Sequence, residues 1–477
     1  MELDRQTCRR ARLARDARFD GRFFVGVRTT GIYCRPVCAA KPPREANVEY
    51  FVSAAAASQA GFRACLRCRP ETAPGTPAWS GASATVSRGL RLIAQGVLDG
   101  DDVDTLAARL GVGARHLRRL FTEHLGAPPV SVMQTHRLLA AKLLIDQTNL
   151  PLTSVAMAAG FGSVRRFNAA FLASYGRSPR ELRRLAARPA AARYQFELRY
   201  RPPFDWPAIV AFLAPRAIPG VEHVEARRYV RSIVIDNHVG WLDLRPATPN
   251  TLRLGVELPD PVQLLRVVSR VRRMFDLDAD PMTINRHLSA DPQLAPLVRR
   301  RPGLRVPGCW DWFELGVRAI LGQQVTVAGA TTLAGRFVQQ FGRSVSPAVE
   351  HVTHTFPRPE AISDAEVGVI GVPATRAEAI RRFAKAAASG ELDPEMPPEH
   401  FLARLLEIPG LGPWTAQYVA LRALGDPDAF PVSDLGLLRA TRCRNAKTLE
   451  EHAERWRPWR AYAAMHLWSA KGLEAED

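Results

Sequence analysis

Four cysteines constrain this chain more than any other feature: Cys34-x3-Cys38 is followed, after 26 residues, by Cys65-x2-Cys68. Two close pairs joined by a small lobe argue for a metal ion rather than disulfides in an intracellular chain. Four thiolates in a tetrahedron suit zinc, so one Zn2+ is the expected cofactor. Taken alone, the spacing describes a structural zinc knob. The stretch from Met1 to Arg22 is dense in Arg and Asp and lacks the apolar centre of a signal peptide. No apolar run reaches the ~18–20 residues of a membrane span. A cytoplasmic protein without membrane contact is therefore expected.

At 477 residues the chain is too long for one domain, and about three are expected at roughly 150 residues each. Its 65 basic and 47 acidic residues leave a net charge of +18. A basic balance of this size favours a polyanionic partner, most simply nucleic acid. The excess is uneven: +7 on residues 1–75, +9 on 76–195 and only +2 on the remainder. Breaker-rich stretches at Pro70–Gly81 and Ala186–Arg193 read as linkers. Between them the apolar periodicity is helical; beyond them Tyr194–Tyr200, Val230–Asp236 and Thr251–Val256 alternate like strands. From about Met282 the pattern is helical again.

The helical block contains a repeat. Thr105-Leu-Ala-Ala-Arg-Leu-Gly-Val-Gly with Leu117 and Phe121 is echoed by Ser154-Val-Ala-Met-Ala-Ala-Gly-Phe-Gly with Phe167 and Phe171. Gly126 and Pro129 match Gly176 and Pro179 at an offset of 50. Each copy has the anatomy of a helix–turn–helix with a basic second helix, carrying Arg115, Arg118 and Arg119 in one and Arg165 and Arg166 in the other. The block resembles the two-subdomain DNA-binding region of AraC-type transcription regulators. That resemblance implies that the second helices enter successive major grooves of promoter DNA. RNA polymerase is an expected partner.

The surroundings of the cysteines carry a second resemblance. Phe23-Phe-Val-Gly-Val-Arg-Thr-Thr-Gly-Ile-Tyr-Cys-Arg-Pro-Val-Cys38, Asn47-Val-Glu-Tyr-Phe51 and Ala60-Gly-Phe-Arg-Ala-Cys-Leu-Arg-Cys-Arg-Pro70 resemble the N-terminal domain of Ada-type methylated-DNA responders. Arg9 departs from that pattern, in a slot that is usually aromatic. The resemblance implies that Cys34 is both a zinc ligand and the acceptor of a methyl group from an uncharged phosphotriester. Methylating one of the four sulfurs makes the centre less negative and so strengthens its attraction to phosphates, which turns a single-turnover repair into a switch. No Pro-Cys-His-Arg motif occurs, so direct guanine repair is not expected.

In the C-terminal half, Leu406-Glu-Ile-Pro-Gly-Leu-Gly-Pro-Trp-Thr-Ala416 sets a Pro-Gly-x-Gly turn between helical stretches. Its glycines, Gly410 and Gly412 beside Pro409, let backbone N–H groups approach a phosphate. Phe430-Pro-Val-Ser-Asp434 follows. Together with Pro307-Gly-Cys-Trp-Asp-Trp-Phe313 and Gly322-Gln-Gln-Val-Thr326, these stretches resemble the AlkA-type helix–hairpin–helix DNA glycosylases over about residues 194–471. The resemblance implies base flipping, hydrolysis assisted by Asp434 at an oxocarbenium-like sugar, and an aromatic pocket for cationic bases at Trp414, Tyr418 and Trp468. Pro413-Trp414 stands where bifunctional relatives carry a Schiff-base lysine, so base release without strand cleavage is expected. Only Cys443 lies beyond the hairpin, so no iron–sulfur cluster is expected. The wedge position is Gln324, where such enzymes insert an apolar residue. His351 and His354 read as surface residues.

The expected architecture is multidomain α+β: a zinc-bound methyl-acceptor domain (1–75), an all-α tandem helix–turn–helix domain (83–185), a small antiparallel α+β lobe (194–282) and an all-α helix–hairpin–helix glycosylase domain (283–477). The chain is expected to act on double-stranded DNA as a monomer, combining a phosphotriester methyl acceptor, a DNA-binding transcription regulator and a 3-methyladenine-type glycosylase. The alternative from a different class is a methylation-sensing regulator whose glycosylase half only binds damage. Hydrolysis, or its absence, on changing Asp434 separates the two.

Overall fold

The computed structural model describes residues 4–75, 84–94, 103–185, 194–345 and 350–470. The first expected linker is described only as far as Gly75, and the second, 186–193, lies outside the described residues. The chain forms two compact units. One comprises Met1–Pro202, Ala247–Arg272 and Leu277–Asp280; the other comprises Pro203–Pro246, Arg273–Asp276 and Pro281–Asp477.

The first unit begins with a helix, Arg5–Ala14, whose first turn is capped by the Asp4 carboxylate accepting from the Thr7 N–H. Four short strands follow: β1 (Phe24–Val27), β2 (Ile32–Cys34), β3 (Val48–Phe51) and β4 (Arg63–Ala64), in the order β3-β1-β2-β4. β1 pairs antiparallel with β2, across a turn that Gly31 (φ +62) permits, and on its other side with β3. β2 and β4 run parallel, with Ile32 opposite Arg63 and Tyr33 opposite Ala64. That pairing sets the end of β2, at Cys34, beside the end of β4, just before Cys65. Edge-to-face contacts among Phe19, Phe23, Phe24, Tyr33 and Tyr50 fill the core beneath.

The repeat folds as two helix–turn–helix units, Val103–Leu110 with Ala114–Leu125 and Leu152–Ala158 with Val164–Tyr175, joined by the long helix Pro129–Gln147. Gly111 (φ +71) and Gly160 (φ +76) occupy the left-handed conformation at the two turns, which costs a glycine little and a branched residue much. Leu106, Leu117 and Phe121 in one copy, and Val155, Phe167 and Phe171 in the other, are fully buried. The apolar spacing at i and i+4 thus marks the inward faces. In the same unit β5 (Tyr194–Arg199) pairs antiparallel along its length with a strand at Thr251–Glu257, with Phe196, Leu198, Leu252, Leu254 and Val256 turned inward.

In the second unit β6 (Glu222–Glu225), β7 (Arg228–Ile235) and β8 (His238–Pro246) form an antiparallel meander. Its described helices include Trp312–Leu321, Val327–Phe341, Ala374–Ala388, Pro398–Leu406, Pro413–Val419, Leu435–Thr441 and Arg460–Ala470. Phe313 and Phe383 stack at its centre with ring centroids 5.3 Å apart, and Trp312 meets Phe383 and Phe401 edge-on. Gly316 permits this packing, because a Cβ there would lie 2.3 Å from the Phe383 ring. Among the described residues no helix is long and apolar enough to cross a membrane.

Candidate functional site

The parallel β2–β4 pairing brings the two cysteine pairs together, and the Sγ atoms of Cys34, Cys38, Cys65 and Cys68 all lie within 4.8 Å of one another. A tetrahedron with ~2.3 Å zinc–sulfur bonds has sulfur–sulfur edges of about 3.8 Å, so the donor set and spacing fit one zinc ion. The backbone N–H of Arg35 donates to Cys68 Sγ at 3.3 Å. Its guanidinium is buried, donates from Nε to Asp20 Oδ1 at 2.8 Å, and reaches the Cys68 carbonyl (3.0 Å) and Thr72 Oγ1 (2.7 Å). A paired cation therefore locks the loop that starts at the expected methyl acceptor. Arg9 is exposed, so its departure from an aromatic disturbs no packing.

Sequence reading missed Arg201, a fully buried arginine in the same unit. It donates to the carbonyls of Asp20 (2.8 Å), Asp278 (2.5 Å), Ala279 (3.2 Å), Pro74 (3.4 Å) and Gly75. Burial draws its guanidinium down to about 10. Nothing local in the sequence marks it, because its partners lie up to 181 residues away.

On the helix–turn–helix units, Arg115, Arg118 and Arg119 stand exposed on helix Ala114–Leu125, and Arg165 and Arg166 on helix Val164–Tyr175. Their burial pattern is opposite to that of Leu117, Phe121, Phe167 and Phe171, so each second helix presents a basic face away from its core.

In the second unit Asp434 is the N-cap of helix Leu435–Thr441, its Oδ1 accepting from the Leu437 N–H at 2.9 Å. The same carboxylate accepts from both indoles: Trp468 Nε1 to Oδ1 at 3.0 Å and Trp414 Nε1 to Oδ2 at 2.9 Å. Trp414 stacks on Tyr418 with centroids 5.1 Å apart and planes 9° from parallel. The four residues singled out from sequence thus form one cluster. The Tyr418 hydroxyl accepts from Arg422 Nη1 at 2.8 Å. Burial alone would raise that hydroxyl, but the positive charges of Arg422, Arg216 and Arg318 outweigh it and hold the phenol below its ordinary value.

The hairpin lies between helices Pro398–Leu406 and Pro413–Val419. Pro409 and Gly410 are exposed, and Gly412 is half-buried at the N-cap. Gly410 has φ +95, and a Cβ there would lie 2.8 Å from that of Ala379. Gln323 Nε2 donates to the Gly410 carbonyl at 2.9 Å, and Arg376 Nη2 donates to the Gln323 carbonyl at 2.6 Å. The next residue, Gln324, is exposed with φ +56, a left-handed conformation uncommon outside glycine. His351 is exposed and His354 half-buried.

Four family models match the chain: "Metal binding domain of Ada" over residues 7–71, "Helix-turn-helix domain" over 106–185, "AlkA N-terminal domain" over 195–311, and "HhH-GPD superfamily base excision DNA repair protein" over 317–460. A Mycobacterium tuberculosis protein described as a probable bifunctional transcriptional activator/DNA repair enzyme AlkA is 42% identical, over 98% of this chain and 97% of its own. The DNA-3-methyladenine glycosylase 2 of Escherichia coli is 34% identical over 59% of this chain and 99% of its own. Among solved structures, the 3-methyladenine DNA-glycosylase of Archaeoglobus fulgidus matches with a TM-score of 0.51 and 26% identity, over 57% of this chain and 97% of that one.

Proposed function

Since the chain belongs to the family of bifunctional AlkA-type transcriptional activator/DNA repair enzymes, we propose that it takes methyl groups from DNA phosphotriesters onto Cys34, regulates transcription through its paired helix–turn–helix units, and hydrolyses the glycosidic bond of alkylated bases such as 3-methyladenine at Asp434. Supporting the glycosylase reading above all is the convergence of Trp414, Trp468 and the Leu437 N–H on one carboxylate. Three donors fix the carboxylate in place, so its charge can face a sugar carbon that becomes positive as the base departs. An alkylated purine is already cationic and leaves without a strong acid. Trp414 and Tyr418 supply a stacked aromatic surface for the flipped base. Water adds to the sugar carbon, its proton passes to solvent or to Asp434, and the base leaves with the bonding electrons. Pro413 and Trp414 offer no amine for a Schiff base, so the product is an abasic site in an intact strand.

At the cysteine cluster, bound zinc keeps the sulfurs as thiolates at neutral pH. Cys34 Sγ attacks the methyl carbon of the triester, the carbon–oxygen bond breaks, and its electron pair stays on the phosphate as a diester anion. Cys34 is half-buried at the end of β2, and the Arg35–Asp20 pair holds the loop that follows it. Mass spectrometry after incubation with methylphosphotriester DNA should show one added methyl on Cys34; a zinc-loaded but unmodified Cys34 would reduce the cluster to a structural knob.

A further inference from the structure

Beyond helix Pro413–Val419 the backbone does not simply continue. Residues Ala420–Leu424 form a π-helical turn closed by Gly425 at φ +65. Such turns carry an extra residue and recur at functional sites. This one carries Arg422, buried at 4% exposure. Its guanidinium is held on three sides: Nε donates to the Pro307 carbonyl (2.8 Å), Nη2 to the Gly308 carbonyl (2.9 Å) and Nη1 to the Tyr418 hydroxyl (2.8 Å). All three acceptors are neutral. The guanidinium carbon lies 5.5 Å from the Tyr418 ring centroid and 5.0 Å from that of Phe212, whose ring also carries Arg216 at 4.0 Å. Arg318, the third arginine acting on Tyr418, is paired with Glu222 (3.0 Å) and Glu314 (3.2 Å).

The chemistry is that of a competition. An aromatic ring attracts cations through its quadrupole, and a ring that already has a fixed cation beside it has less attraction left for another. Tyr418 stacks on Trp414, which holds Asp434, so what clamps Tyr418 also orders the surface next to the reacting carboxylate.

We propose that Arg422 is a positioning residue that sets lesion specificity: it clamps Tyr418 against Trp414 and, by placing a fixed positive charge beside that aromatic wall, lowers the preference of the pocket for cationic over neutral damaged bases. The proposal rests on Trp414 and Tyr418 being the base pocket, and the experiment separates the two claims.

The full chain, zinc-loaded, is assayed on duplexes carrying either a cationic N-alkylated purine, 7-methylguanine, or a neutral deaminated purine, hypoxanthine. The readout is the ratio of the two kcat/KM values. Arg422→Met removes the charge at similar length and is expected to raise the cationic-to-neutral ratio about 3- to 10-fold, chiefly through KM, even as both absolute rates fall. Arg422→Lys keeps the charge but not the three-way clamp; it should lower both rates and leave the ratio within about twofold of wild type. If Arg422→Met does not fold, Arg422→Gln carries the same expectation. A neutral variant whose ratio stays within twofold of wild type, or falls, overturns the proposal. Trp414→Ala and Tyr418→Ala test the premise: if both leave KM for either duplex unchanged, the pocket reading fails, and the proposal with it.

Discussion

The indole nitrogen of Trp468 lies 3.0 Å from Oδ1 of Asp434, 34 residues earlier in the chain. Trp414 meets the other oxygen of the same carboxylate from 20 residues before it. Trp468→Phe keeps the ring and removes one donor. A hydrogen bond to a charged group contributes about 1.5–3 kcal/mol, so single-turnover base release is expected to slow roughly 10- to 100-fold. The thermal midpoint should move little. An unchanged rate would mean that this donor does not orient Asp434 for the reaction.

Arg201→Ala leaves five backbone carbonyls of one unit without their shared donor. A cost of about 2–4 kcal/mol is expected, at roughly 1 kcal/mol for each lost bond less what water recovers. Because Asp20 also pairs with Arg35 beside Cys34, zinc release to a chelator should quicken in this variant. Release at the wild-type rate would show that Arg201 does not support the cysteine loop.

Thiol labelling of the native chain should reach buried Cys8 and half-buried Cys309 only slowly. Burial raises their thiols to about 11 and about 12, which leaves almost no thiolate at neutral pH. Chelating zinc should release one metal per chain and expose four further reactive thiols. Early labelling of Cys8 or Cys309 would contradict this.

His466, 2% exposed on helix Arg460–Ala470, is held down to about 4 by burial and by the charge of Arg301. Its folded value lies below the ordinary 6.5, so between these values the unfolded chain takes up the proton and the folded chain does not. Its contribution is therefore complete above pH 6.5 and is lost as pH falls towards 4. The stability of the second unit should drop by about 2 kcal/mol between pH 7.5 and 5 from this residue. Denaturant midpoints for His466→Gln should show a shallower fall; an identical slope would contradict the assignment.

The charge asymmetry predicts a difference in salt response. Replacing Arg115, Arg118 and Arg119 by Ala should reduce the slope of log affinity against log salt, measured on undamaged duplex, by up to about 3. The salt dependence of base release should stay unchanged. An unaltered affinity slope would remove these arginines from the DNA contact.

How much of this was legible in the sequence follows from the range of each interaction. The cysteine spacing and the glycine turns of the repeat are local patterns, and they fold as local patterns do. The cluster of Asp434 with Trp414 and Trp468 was reachable only through resemblance, since no period links residues 414, 434 and 468. For Asp434 the N-cap and the proposed catalytic carboxylate are compatible roles, because the cap bond is one of the three that hold the side chain. Arg201 and Arg422 were invisible. In a chain with 65 basic residues an arginine reads as surface charge, and only distant carbonyls reveal that it is buried. The division into units was equally hidden, with β5 and the strand Thr251–Glu257 grouped with the cysteine and helix–turn–helix elements while the meander belongs to the other unit.

The proposed base excision rests on the carboxylate of Asp434. Free-base release from alkylated duplex DNA, compared between wild type and Asp434→Asn, tests it most directly. The asparagine keeps an oxygen for the cap but removes the charge, and release is expected to fall on the order of 10²- to 10³-fold, with DNA affinity retained. Equal release by the two proteins would contradict the account.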